Sequence, residues 1–129
     1  MLFRSVYDDA RFRDQIALLE VDIVALEMMV LRVLSAEKSG KQSLDVAGLL
    51  KIRGSEIQQR YAELMMLAAG PLAQHYVHEA MEAGWQGNLA IPSTLLPLAG
   101  TYFNMRKTSI YGGSNEVQRN IVSQTVLGS

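Results

Sequence analysis

The sequence contains no cysteine, which removes disulfides, thiolate nucleophiles and cysteine-ligated zinc together. Neither sign of charge prevails. Twelve Lys and Arg against 13 Asp and Glu leave a formal net charge of -1, and a nucleic-acid footprint is not expected from such a balance. No apolar segment followed by a small-residue cleavage site opens the chain at Met1–Asp9, so no secretory signal is read there. The longest uncharged run, Ala83–Met105, is interrupted by Gly84, Gly87, Pro92, Pro97 and Gly100 and reads as a loop rather than a membrane span. Asn-x-Ser/Thr does not occur, and a cytoplasmic location with no membrane partner is the default expectation. What remains is 129 residues, one domain by length, of which 49% are hydrophobic and 19% charged. A chain of this size can bury a core unaided, yet its apolar excess and seven methionines suit a piece of something larger.

The periodicity is helical throughout. Asp8-Asp9 supply capping and first-turn acids for a first helix from about Ala10 to Lys38. In it Phe12, Ile16, Leu19, Ile23, Leu26, Val30 and Val33 recur at steps of 4, 3, 4, 3, 4 and 3. Leu18, Val21, Val24, Met28 and Leu31 widen the apolar surface beyond that stripe, so the helix needs covering on more than one side. Ser39–Ser43 is a predicted break. A second helix is predicted over Asp45–Ala69, with Val46, Leu50, Ile57, Tyr61, Leu64 and Ala68 on one face. Lys51, Glu56, Gln59, Arg60 and Glu63 mark its wetter side, with Glu56 and Arg60 spaced to pair. Gly70-Pro71 stops it. A short helical piece is expected in Leu72–Ala83, then an irregular excursion over Gly84–Pro97 anchored by Trp85. Leu98–Ile110 and a segment from Ser114 or Asn115 to about Leu127 complete four helices, the last with Val117, Ile121 and Gln124 on one side. No strand alternation is present. The fold class is all-α, an antiparallel helical bundle with one long loop.

Most catalytic signatures are missing. No Glu stands three residues before either histidine, which excludes the di-iron bundle pattern. His75, His78 and Glu79 have a spacing compatible with a metal site, although two histidines beside a Gly-Pro break are more often solvated surface. Neither glycine-rich phosphate loop nor nucleophile elbow is found. Met28, Met29, Met65 and Met66 read as deformable core filler. One segment is different: Ser109-Ile110-Tyr111-Gly112-Gly113-Ser114-Asn115-Glu116-Val117-Gln118-Arg119-Asn120-Ile121. A helix ends at a glycine pair and another begins at once, capped by Ser114 or Asn115. Its first N–H groups and positive dipole end stand where glycine admits a ligand to the backbone. Tyr111 adds a flat apolar face, and Arg106, Lys107 and Arg119 add positive charge. A helix–helix corner with ordinary capping accounts for the same pattern without a ligand.

This segment, followed by Val126-Leu127-Gly128, resembles the C-terminal signature of the acyl-CoA dehydrogenase family. Tyr102-Phe103-Asn104-Met105-Arg106 and Leu67-Ala68-Ala69-Gly70-Pro71 are similar to one branch of it. The resemblance spans nearly the whole chain, as the C-terminal helical bundle only, and the chain opens near that bundle's second helix, without its usual first. The resemblance therefore implies a single domain, residues 1–129, taken from a longer flavoprotein, whether as an excised domain, a proteolytic remnant or a truncated reading frame.

The implied activity is α,β-desaturation of acyl-CoA thioesters with FAD, in which a carboxylate removes the α-proton and the β-hydride passes to the flavin. In many members that carboxylate is a Glu directly after the loop Tyr. Here the position is Gly112, so the resemblance assigns no catalytic residue within the chain. The base would then lie on an earlier helix outside it, or the chain would be a non-catalytic partner in a heteromeric enzyme or a homologue with changed chemistry. Carried over residue by residue, Gly113 matches the position beside the acyl thioester. Ser114 and Glu116 match FAD-contacting positions, and Asn115 between them is assigned to the cofactor site with them. A further flavin-contacting Gln and Gly-Gly correspond to Met65 and Ala68-Ala69, a departure from the pattern. The bundle is expected to form the core of a homo- or hetero-oligomer, and the isolated chain to be inactive. The alternative is a stand-alone, non-catalytic helical interaction module.

Overall fold

The structure is a computed structural model that describes residues 6–38, 44–87 and 91–128. Four α-helices account for most of it: α1 (Ala10–Lys38), α2 (Leu44–Ala69), α3 (Leu96–Met105) and α4 (Asn115–Leu127). No strand occurs among the described residues. The predicted break at Ser39–Ser43 lies outside them.

Helix α1 starts where the acids predict. Asp9 Oδ1 accepts from the Arg11 N–H at 2.8 Å, satisfying a first-turn donor that the helix itself cannot. Its 29 residues run about 43 Å at 1.5 Å per residue. Phe12, Ile16, Leu19, Ile23 and Val33 of the predicted stripe face α2, whereas Val30 is exposed and Met29 takes its place, and the packing is antiparallel. Phe12, Ile16 and Leu19 near the start of α1 meet Tyr61, Leu64 and Ala68 near the end of α2. Met29, Val33 and Ala36 meet Val46 and Leu49 at the opposite end. Only Leu19 of α1 is buried. The second apolar face remains open, with Leu18 67% and Val21 65% exposed.

Helix α2 is the centre of the molecule, packing against α1, α3 and α4. The buried apolar set is thin: Leu19, Ile52, Ala62, Leu64, Ala73 and Ala99. Helix α4 crosses α2 at close range. A Cβ placed on Gly48 would stand 2.9 Å from both Gln118 Oε1 and Val122 Cγ2. The face of α4 turned to α2 therefore carries Asn115, Gln118 and Val122, and the predicted Val117–Ile121 side is half exposed instead.

Ion pairs differ from the spacing-based expectation. Glu56 does not take Arg60 as its partner. It accepts from Arg53 at 2.8 Å and from Arg119 of α4 at 3.0 Å, while Arg60 turns to Glu63 and Gln15. Arg53 also pairs with Asp22 of α1, so one chain of surface charges joins three helices. The i,i+4 pairing gives way to i,i+3 pairs within α2, Arg53–Glu56 and Arg60–Glu63, and to partners on neighbouring helices.

After α2 the chain forms two 3-10 turns, Gly70–Gln74 and His78–Met81, in place of the short helix expected over Leu72–Ala83. His75 and Val77 are extended between them, so His75 and His78 do not share a helical face. No cluster of three potential metal-ligating side chains occurs among the described residues. Trp85 is half-buried and folds back on Gly87, where a side chain would strike its indole. Helix α3 begins two residues earlier than predicted and gives way to a 3-10 turn, Arg106–Ser109. No described helix is long and apolar enough to cross a membrane.

Candidate functional site

The link between α3 and α4 is built on its two glycines. Gly112 and Gly113 have φ of +72° and +85°, the left-handed region that residues with a Cβ avoid. They let the chain reverse within two residues and deliver Ser114 at the N-cap of α4. The Ser114 hydroxyl accepts from the Val117 N–H at 3.4 Å. Gln118, one turn into α4, reaches back and donates to the Gly112 carbonyl at 2.9 Å. Around Gly112 there is open space, whereas a Cβ on Gly113 would lie 2.6 Å from the Gln118 amide nitrogen.

A polar stripe on α2 holds this link from below. Lys51, Ser55 and Gln59, spaced by single turns, all face the segment from Arg106 to Asn115. Lys51 Nζ donates to the Ser109 carbonyl at 3.2 Å and to Asn115 Oδ1 at 2.7 Å. The Ser55 hydroxyl approaches the same Asn115 oxygen at 3.2 Å while bonding its own Ile52 carbonyl at 2.8 Å. Gln59 donates to the Arg106 carbonyl and to Thr108, and Arg106 returns a bond to the Gln59 carbonyl at 2.9 Å. Ser55, Thr108 and Asn115 are buried, and no buried side-chain polar atom is left without a partner among the described residues. Sequence reasoning placed Lys51 and Gln59 on a wetter side and missed Ser55 and Thr108. The signal present was a polar residue at every fourth position of a helix otherwise rich in apolar ones.

The stripe and the loop border a cleft of about 380 Å³, lined by Lys51, Gly54, Ser55, Thr108, Tyr111 and Gly112 among others. Tyr111 is 55% exposed at its mouth. Glu116 stands in the first turn of α4, fully exposed. Its own backbone N–H and then the Ser114 hydroxyl hold its carboxyl below the ordinary carboxylate value of 4.5, with smaller help from Arg119 and Lys51. The loop thus presents an ionised acceptor, a hydroxyl and flexible glycine backbone. Such a set suits the hydroxyl and amine donors of a ligand such as FAD. It does not suit the FAD diphosphate, which would meet the Glu116 carboxylate at the very helix end that normally attracts anions. Met65 and Ala68, standing where a Gln and a Gly would be expected, line the apolar groove against Phe12 and Ile16 and offer nothing polar.

An all-helical bundle whose last two helices meet at a Tyr-Gly-Gly-Ser-Asn-Glu corner defines a narrow class. Comparison with protein-family profiles matches the chain to the acyl-CoA dehydrogenase C-terminal domain over residues 3–127. The chain belongs to that family of enzyme domains. Searches of curated proteins and of solved structures return no match.

Proposed function

We propose that residues 1–129 are the C-terminal bundle of a FAD-dependent acyl-CoA dehydrogenase-like oxidoreductase acting on acyl-CoA thioesters. The observation that carries this reading is the family match across residues 3–127. In the complete enzyme Gly113 lies beside the acyl thioester, and Ser114 and Glu116, flanking Asn115, hold hydroxyl or amine groups of FAD. The flavin, when bound, supplies the hydride acceptor. The protein's own part is to keep these contacts in place and shut water from the cleft. Gly112 supplies no acid, so the catalytic carboxylate lies on an earlier helix outside this chain unless the chain is a non-catalytic partner or a homologue with changed chemistry. The open face of α1 becomes the core of a homo- or hetero-oligomer. The location is cytoplasmic, with no nucleic-acid or membrane partner.

The isolated chain is inactive under this reading. Acyl-CoA-dependent reduction of an electron acceptor by the purified 129 residues would overturn that statement. An in-frame β-domain upstream in the gene supports the enzyme. A genuine start at Met1 would favour a stand-alone helical interaction module, a reading that Gly112 and the open α1 face also suit. In the enzyme, Gly112→Glu probes whether the loop faces a thioester, through gained activity or altered flavin absorbance. No change in either would favour a plain helix–helix corner.

A further inference from the structure

We propose that Lys51 is the positioning residue of the loop between Ser109 and Asn115: its one ammonium group ties the residue before the loop to the residue after it. The Ser109 carbonyl and Asn115 Oδ1 are both within hydrogen-bond reach of Nζ, at 3.2 and 2.7 Å. The five residues between them, Ile110 to Ser114, include both left-handed glycines. Fixing the two ends with one donor group sets the span of the loop and the height of its backbone over the cleft, whose wall Lys51 also forms.

The choice of lysine follows from its chemistry. An ammonium offers three donors around one atom and can serve two acceptors that approach from different directions. Lys51 is half-buried, and no carboxylate stands within ion-pair distance of it among the described residues. Its charge is partly desolvated without the return of a salt bridge, so its bonds to neutral oxygens are the compensation. Asn115 matches this need. It is buried, it occupies the first position of α4, and its oxygen accepts from Lys51, with the Ser55 hydroxyl 3.2 Å away. A residue that merely filled space between α2 and α4 would require none of this. What the loop is positioned for rests on the function proposed above; the geometry does not.

Amide exchange on the 129-residue chain tests the inference with no flavin or thioester in the sample. The reporters are Ile110 and Tyr111, whose N–H groups bond the Lys107 carbonyl, and Gln118, which bonds the Ser114 carbonyl. Asn115→Leu, which removes one charge-assisted bond, is expected to speed exchange at these amides about tenfold, and Lys51→Met, which removes two, by at least as much, with the α1 amides of Leu19 and Ile23 unchanged. Asn115→Asp keeps an acceptor for the ammonium and is expected to retain slow exchange. Unchanged loop exchange in Lys51→Met, or equal behaviour of Asn115→Asp and Asn115→Leu, would overturn the proposal. So would acceleration of the α1 amides in step with the loop, which marks a purely structural role. Should Lys51→Met fail to fold, the contrast between the two Asn115 variants decides alone. None of these results bears on whether the family's reaction is catalysed.

Discussion

Gly112 and Gly113 are adjacent, share the same backbone region and are predicted to differ in what an added methyl costs. Placing alanine at φ of +72° or +85° costs about 1–2 kcal/mol in either case. At Gly112 that is the whole expense, because nothing lies within 4 Å of the new Cβ. At Gly113 the Cβ arrives 2.6 Å from Gln118 Nε2, and the glutamine must swing aside, surrendering its 2.9 Å bond to the Gly112 carbonyl. That bond adds about 0.5–1.5 kcal/mol, giving roughly 1.5–3.5 kcal/mol for Gly113→Ala. For a chain of this length the extra loss corresponds to a fall in Tm of roughly 2–6 °C beyond that of Gly112→Ala. Urea titration followed by helical circular dichroism, at one fixed protein concentration, measures both. The cycle closes with Gln118→Ala: once the amide is gone, Gly113→Ala is expected to cost no more than Gly112→Ala. If Gly112→Ala proves equal or worse in the native background, or Gln118→Ala fails to relieve Gly113→Ala, the account of the loop is wrong.

Three further outcomes are expected. Gly48→Ala pushes a methyl into Gln118 and Val122 where α4 crosses α2, and its urea midpoint falls by the equivalent of about 1–3 kcal/mol; an unchanged midpoint would mean that the helices do not approach so closely. The Glu116 carboxyl, followed by NMR, titrates below 4.5, and Ser114→Ala raises its midpoint. Because its folded pKa lies under the unfolded one, the stabilisation it brings is complete above the unfolded value and disappears as the pH falls through the folded one; a midpoint at or above 4.5 contradicts the assignment. The wild-type chain self-associates in light scattering, and Leu18→Glu with Val24→Glu shifts it to monomer while helicity is kept, since those side chains are 67% and 53% exposed. A wild-type monomer at every concentration would refute the role given to that face.

The helices were legible because each has its own local signal. The heptad-like steps of α1, the Gly-Pro stop after α2 and the Ser114 cap of α4 are determined within a few residues of where they act. The segment from Gly70 to Leu95 was less so: Pro71 and the extended His75 break what spacing alone reads as one helical piece. Faces were legible only in part. In α4 the apolar Val117 and Ile121 suggest a buried side, yet the helix packs through Asn115, Gln118 and Val122, because Gly48 opens a gap on α2 at that height. A helix face is chosen by the partner's shape as well as by its own polarity, and the partner stands some 70 residues earlier in the chain. The same distance hid Lys51 and Ser55. Nothing local to them announces a bond to Asn115, 64 and 60 residues on.

Beside its small apolar core the bundle buries polar residues and leaves large apolar ones outside. Buried Ser55, Thr108 and Asn115 lie between helices, whereas Leu18, Val21, Val24, Met28 and Leu31 face outward from α1. The two facts have one consequence. Between α2 and α4 an apolar interface would tolerate a slip of one turn at small cost, but a slip would strand Asn115 and the Lys51 ammonium without partners, so the polar contacts fix register at some expense of stability. Register matters here because the glycine loop is continuous with α4, and a one-turn slip would carry Tyr111 and Gly112 about 5 Å from the cleft wall. The outer face of α1, where Leu18, Val21, Val24, Met28 and Leu31 are each half or more exposed, offers apolar area whose burial would add stability. Under the assembly proposed above, loop geometry and oligomerisation would be linked: covering α1 would steady α2, and α2 carries the lysine that sets the loop.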